Sequence, residues 1–168
     1  MSRGFVRESD QEPEPFVPPR AVLPEGAPNY VTPRGLRLLH EERDMLEAEH
    51  AGLGDATAGD DEARRALGVL NKQLLALNAR IASARLVEPE GGEEVRFGAT
   101  VTYRVAGAKQ PATVTIVGVD EADFKAKRVS FLSPLAQALT GKTAGEEADL
   151  ATGKAVRKLT VLHVAYGR

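Results

Sequence analysis

The sequence has no cysteine and no tryptophan, and only 5% of its 168 residues are aromatic. The lack of thiols excludes a disulfide framework, a Cys-ligated zinc or iron–sulfur site and a Cys/His catalytic pair, and it fits a reducing compartment. Neither sign of charge prevails: 22 Lys and Arg against 24 Asp and Glu give a formal net charge of −2, so bulk charge does not predict nucleic-acid binding. The N-terminus carries Arg3 and Arg7 without an apolar segment behind them, and no run approaches the ~18 apolar residues of a membrane span. The expectation is a soluble cytoplasmic protein. There is no Gly-rich phosphate loop and no nucleophile elbow. His40 and His50 fall on a different segment from His163, without metal-ligand spacing,. The length suits one ordinary domain, or a small domain carrying an extended element.

Three segments stand out. Residues 1–31, with QEPEPFVPPRAVLPEGAP at their centre, predict a disordered tail rich in proline and acid, because each proline removes a donor and restricts its predecessor. Residues 32–87 predict an antiparallel coiled-coil hairpin. Thr32 caps the first helix and Pro33 takes its first position; Leu36, Leu39, Leu46 and Leu53 then form a seam interrupted by Arg43 and His50. In the second helix Ala63, Leu67, Leu70, Leu74, Leu77, Ile81 and Ala84 alternate steps of four and three, a narrow stripe suited to one partner helix. Extended from Asp60 to Leu86, that helix would run roughly 40 Å. Beyond Glu62 it carries Arg64, Arg65, Lys72, Arg80 and Arg85, whereas the first carries Glu41, Glu42, Asp44, Glu47 and Glu49. Interhelical pairing and a basic edge tracking a phosphate backbone both fit that division.

Residues 88–94 form a linker, and 95–168 a body. Strands are predicted at 97–105, 112–119, 128–133 and 155–166 from their Val, Thr and aromatic content,. Ser133-Pro134 opens a short helix that Gly141 ends. The fold class is α+β, a small mainly antiparallel sheet domain behind a helical hairpin. The chemically able groups crowd the hinge between the helices: Asp55, Asp60, Asp61 and Glu62. Carboxylates there either offset the positive end of the second helix and cap it, or stand free at the end of a stalk, available to a hard cation such as Mg²⁺.

Several motifs together resemble the bacterial GreA/GreB transcription elongation factors: VRFGATVTY (95–103), TIVGVDEAD (115–123), SPLAQALTGK (133–142), Gly145-Glu146, Thr152-Gly153 and the closing LTVLHVAY. Asn29 to Pro33 with Gly35 resemble the family's entry to its first helix, and Leu86 to Pro89 the exit from its second; MSRGFVRESD resembles GreB-type starts. The resemblance implies a coiled-coil stalk on an FKBP-like domain that docks at the rim of RNA polymerase's secondary channel. It further implies tip acids that help hold a second Mg²⁺ in the polymerase active centre, where polymerase itself cuts the backtracked RNA at its 3′ end. The factor would then be no enzyme, hold no cofactor of its own and act as a monomer. On this chain Gly54-Asp55 matches the start of the family's tip, with Asp55 as the shared Mg²⁺ ligand, and Asp60 and Asp61, outside the family's register, are the next tip acids. Arg64 and Arg65 stand as RNA contacts, and Ser133 and Pro134 as the polymerase-docking loop.

Two departures accompany the resemblance. Ala58 stands where the family's second tip acid is expected, and each arm is about six residues shorter, roughly 9 Å of reach. A regulator that occupies the channel without stimulating cleavage is the alternative. The FKBP-like domain also suggests a prolyl isomerase pocket, for which Phe97, Tyr103, Phe124, Phe131 and Tyr166 are the available rings.

Overall fold

Both stalk helices begin at a side-chain acceptor. The computed structural model describes residues 16–54 and 59–167. The Thr32 hydroxyl accepts the Gly35 amide at 2.9 Å, Pro33 takes the first helical position, and α1 runs Pro33–Gly54,. The Asp60 carboxylate accepts the amides of Glu62 and Ala63 at the start of α2, Asp61–Ser83. With 22 and 23 residues, the arms are about 33 and 34 Å long. Ala63, Leu70 and Leu77 of the predicted stripe are buried, and Leu67, Leu74, Ile81 and Ala84 half-buried. The polar seam positions find partners: His50 Nε2 hydrogen-bonds Asn71 Oδ1 across the hairpin at 2.9 Å, and Arg43 pairs along α1 with Asp44 and Glu47.

At the base the structure departs from the expected boundaries. The last residues of the expected tail form β1, Asn29–Val31, which pairs in parallel with β2, Ala84–Leu86. Parallel neighbours need a long connection, and here the whole hairpin supplies it. The second helix therefore stops at Ser83 rather than Leu86. Ala84 turns extended (φ −62°, ψ 133°), and the Asn29 side-chain amide donates to the Arg80 carbonyl at 2.9 Å and to Ser83 Oγ at 3.1 Å. A ladder with β1 thus replaces further helical turns. Val31 joins Leu39 and Leu77 in a small core at this end. Nor is 16–31 a solvated tail throughout, since Asn29 and Val31 are each 3% exposed; positions 1–15 lie outside the described residues.

The body comprises β3 (Ala99–Val105), β4 (Ala112–Val117), β5 (Arg128–Ser130), α3 (Pro134–Leu139), β6 (Glu147–Thr152) and β7 (Ala155–Tyr166). They form a sheet in the order β5-β4-β3-β7-β6. Pairing is antiparallel except between β4 and β5, where the chain returns after Val117 to run alongside rather than back. A bulge at Leu162 of β7 shifts the register against β3 and adds twist,. On β3, Ala99, Val101 and Tyr103 face the core while Thr100 and Thr102 face out, hydrogen-bonding Thr115 and Thr113 of β4. Val95, Ile116, Leu139, Leu159 and Val161 complete the core, with α3 packed into it. Strand β6 was not anticipated. Its EADLAT carries little β-propensity; the signal was the turn, where Gly153 (φ 60°) between the paired Thr152 and Ala155 fits a two-residue hairpin,.

The stalk meets the body tightly at Gly118, where a methyl group would collide with the Tyr30 carbonyl oxygen. Gly68 in mid-α2 has nothing within 4 Å. Gly118→Ala is expected to cost about 1–3 kcal/mol in urea denaturation. Gly68→Ala is expected to stabilise by about 0.5–1 kcal/mol in the same measurement.

Candidate functional site

At the hinge the charges are already engaged. Asp60 Oδ1 accepts the Glu62 amide at 2.9 Å and the Ala63 amide at 3.2 Å, so the helix cap is its observed use. Asp61 Oδ1 accepts from Arg64 Nη1 at 2.9 Å, one turn on, with both side chains more than two-thirds exposed. That pair contributes only about 0–1 kcal/mol and gives way readily to a stronger partner. Glu62 adds a second carboxylate to the first turn of α2, where the helix dipole favours it. Asp55 and Ala58 lie outside the described residues. Arg65 is exposed on the same turn and is also engaged in an interaction. Among the described residues no group of three or more His, Asp or Glu side chains could hold a metal ion; the described tip does not form a metal cage by itself.

The expected docking loop is a helix start. Ser133 Oγ accepts the Ala136 amide at 3.2 Å, and Pro134 occupies the first turn of α3, exposed. The cap and the proline together define the turn that opens α3. The five rings do not converge on one pocket. Tyr30 of β1 packs on Phe97 and Phe131 at centroid distances of 5.9 and 5.4 Å, and those two rings meet edge-on at 5.6 Å. Tyr103 lies in the core, where burial raises its phenol above the ordinary range, and the Tyr166 hydroxyl donates to the Glu94 carbonyl. The isomerase expectation has no assembled pocket behind it among the described residues.

The residues that sequence reasoning missed sit between stalk and body. Glu121, 8% exposed, accepts the Thr32 hydroxyl on one oxygen and Arg34 Nη1 at 3.0 Å on the other. Its neighbour Asp120 accepts Arg20 Nη2 at 3.2 Å and Arg80 Nη1 at 2.9 Å. Arg20 also grips both oxygens of Glu42 on α1, at 2.7 and 3.0 Å. The Glu42 hydrogen bonds hold its guanidinium above the ordinary range, against the opposing effect of burial. Arg80 Nη2 donates to the Ala21 carbonyl at 2.7 Å, so residues 20–21 strap the stalk base. The available signal was an acidic pair directly after an apolar strand.

The body's sequence matches the family model described as "Transcription elongation factor, GreA/GreB, C-term" over residues 89–166. The body domain is thus of the transcription-elongation-factor class. A GreA from Hyphomonas neptunium is 41% identical over 92 residues, 54% of this chain and 59% of that protein. The match to a GreA from Ralstonia nicotianae extends over 152 residues at 30% identity, 81% of this chain and 96% of that protein. A GreB from Neisseria meningitidis is 31% identical over 154 residues, 82% of this chain and 94% of that protein. A solved GreA/GreB factor from Nitrosomonas europaea is 21% identical with a TM-score of 0.40, covering 82% of this chain and 97% of that one. The chain belongs to the GreA/GreB family.

Asp60→Ala is expected to lower the stability of the hairpin by about 1 kcal/mol through loss of its cap. Asp61→Ala, which removes only an exposed pair, is expected to stay within about 0.5 kcal/mol. Thermal or urea unfolding of the two variants side by side checks the difference.

Proposed function

We propose that this chain is a transcription elongation factor that binds bacterial RNA polymerase through its C-terminal domain at the secondary-channel rim. The stalk then enters the channel and brings Asp55, Asp60 and Asp61 to the active centre, beside the RNA 3′ end. The observation that carries this reading is a hairpin about 34 Å long, fastened to the body at its base by Asp120 and Glu121 and ending in an acidic turn. Carboxylate oxygens are the ligands Mg²⁺ prefers, and a second Mg²⁺ shared with polymerase supplies activation of the attacking water for transcript cleavage. The chain's own task is to position: it carries oxygen donors to a fixed distance from the docked body. Asp61 exchanges Arg64 for that centre at little cost. Asp60 keeps its second oxygen, Oδ2, outside the cap bonds that Oδ1 makes. Arg64 and Arg65, one turn further along α2, are the groups assigned to contact the RNA.

One observation favours a second reading, a channel-occupying regulator without cleavage activity: Asp60 and Asp61 both have local partners. Both readings are decided in one assay. Added to backtracked complexes with Mg²⁺, the wild-type protein is expected to release short 3′ RNA products. The Asp55→Ala, Asp60→Ala, Asp61→Ala triple variant is expected to bind polymerase as tightly and to leave cleavage at the polymerase's intrinsic rate. Wild-type binding without products establishes the regulator instead.

A further inference from the structure

The turn between β4 and β5 presents the most exposed large apolar side chain among the described residues. Phe124 is 89% exposed, although burying such a ring is ordinarily favourable. The turn that carries it is braced. Asp123 and Arg128 exchange backbone hydrogen bonds at 3.0 and 2.9 Å, and Lys127 N donates to Phe124 O at 3.0 Å. The Asp123 carboxylate accepts the Lys125 and Ala126 amides, while the Thr115 amide ties Lys127 O to the sheet at 2.9 Å. Lys127 is the one non-glycine residue with positive φ among the described residues, at 57°. Glycine would hold that conformation without strain, so the lysine side chain is kept there at a cost to the fold. Lys125 and Lys127 flank the ring in sequence and are exposed, and the Asp123 carboxylate is engaged by the Lys125 and Ala126 amides.

We infer that the Phe124 turn is a docking element whose ring enters an apolar pocket rimmed by carboxylates on a protein partner, with Lys125 and Lys127 meeting the rim. This rests on the polymerase reading, with polymerase as the partner. Strand β5 is the sheet's edge; the Phe124 turn leads into it and the Ser133–Pro134 turn leads out. The two turns thus bracket one edge of the body. An exposed aromatic fixed on a pre-shaped loop is the kind of anchor that dominates interfaces, and bracing before binding reduces the entropy lost on docking. Single-stranded nucleic acid is the less suited occupant, because stacking platforms use successive aromatic rings and this turn offers one.

The test is affinity of the full-length protein for core RNA polymerase by biolayer interferometry, with single-stranded RNA as a second analyte. Phe124→Ala is expected to bind polymerase about tenfold or more weakly with unchanged Tm. Lys125→Glu with Lys127→Glu is expected to weaken it further at low salt than at high salt. Lys127→Gly, which removes charge and strain together, is expected to keep or raise Tm and still bind more weakly. Wild-type binding that Phe124→Ala leaves unchanged overturns this inference alone. Loss of RNA affinity with polymerase affinity intact overturns it in favour of a nucleic-acid contact. Absence of wild-type binding to polymerase overturns the functional reading as well.

Discussion

Two adjacent carboxylates hold this molecule in its working shape. Asp120 and Glu121 lie in the loop after β4, and between them they take Arg20 from the N-terminal strap, Thr32 and Arg34 from the start of α1, and Arg80 from the last turn of α2. The N-terminal strap, the start of α1 and the end of α2 are thus tied to the same loop. Partly buried pairs of this kind are costly to break one-sidedly, because the remaining charge is left without compensation. Close packing adds to the electrostatics. Gly35 lies against the Glu121 carboxylate and Gly118 against the Tyr30 carbonyl, each without room for a methyl group. The Tyr30, Phe97 and Phe131 rings close the remaining side.

The consequence is geometric. A lever about 34 Å long that pivoted freely by even a few degrees would move its tip by ångströms, whereas a metal–carboxylate bond tolerates a few tenths. A stalk that delivers donors to another protein's active centre therefore needs its stiffness at the joint. The joint also explains why the strap is ordered: Arg20 spans from Glu42 on the stalk to Asp120 on the body, bracing the angle between them.

Much of this was legible from sequence. The α2 stripe, the Thr32-Pro33 start, the core-facing alternation of β3 and the Ser133 cap each rest on local rules that the tertiary structure reinforces. The Asp60 cap was one of two uses the sequence allowed, and the Asp61–Arg64 contact follows from helical spacing of three. What escaped was non-local. Strands β1 and β2 are each only three residues long; β2 reads as helix because Ala84 fits the stripe, and β1 reads as tail because it follows a proline run. Each exists because the other is its partner. The parallel return of β5, and the clamp of Asp120 and Glu121 on arginines 40 to 100 positions away, leave no periodic trace. The acidic pair looked like part of a family motif, and only the fold gives it a mechanical role.

With the stalk base fastened in this way, stalk and body are expected to move as one piece. Because the chain has no cysteine, Met45→Cys on α1 and Val156→Cys on β7, both at exposed positions, give a clean pair of spin labels. The measurement is their distance distribution by double electron–electron resonance on the free protein. A single narrow distribution that does not shift between low and moderate salt is the expected result. A broad or bimodal distribution would contradict this, because it would mean that the tip has no fixed position relative to the body.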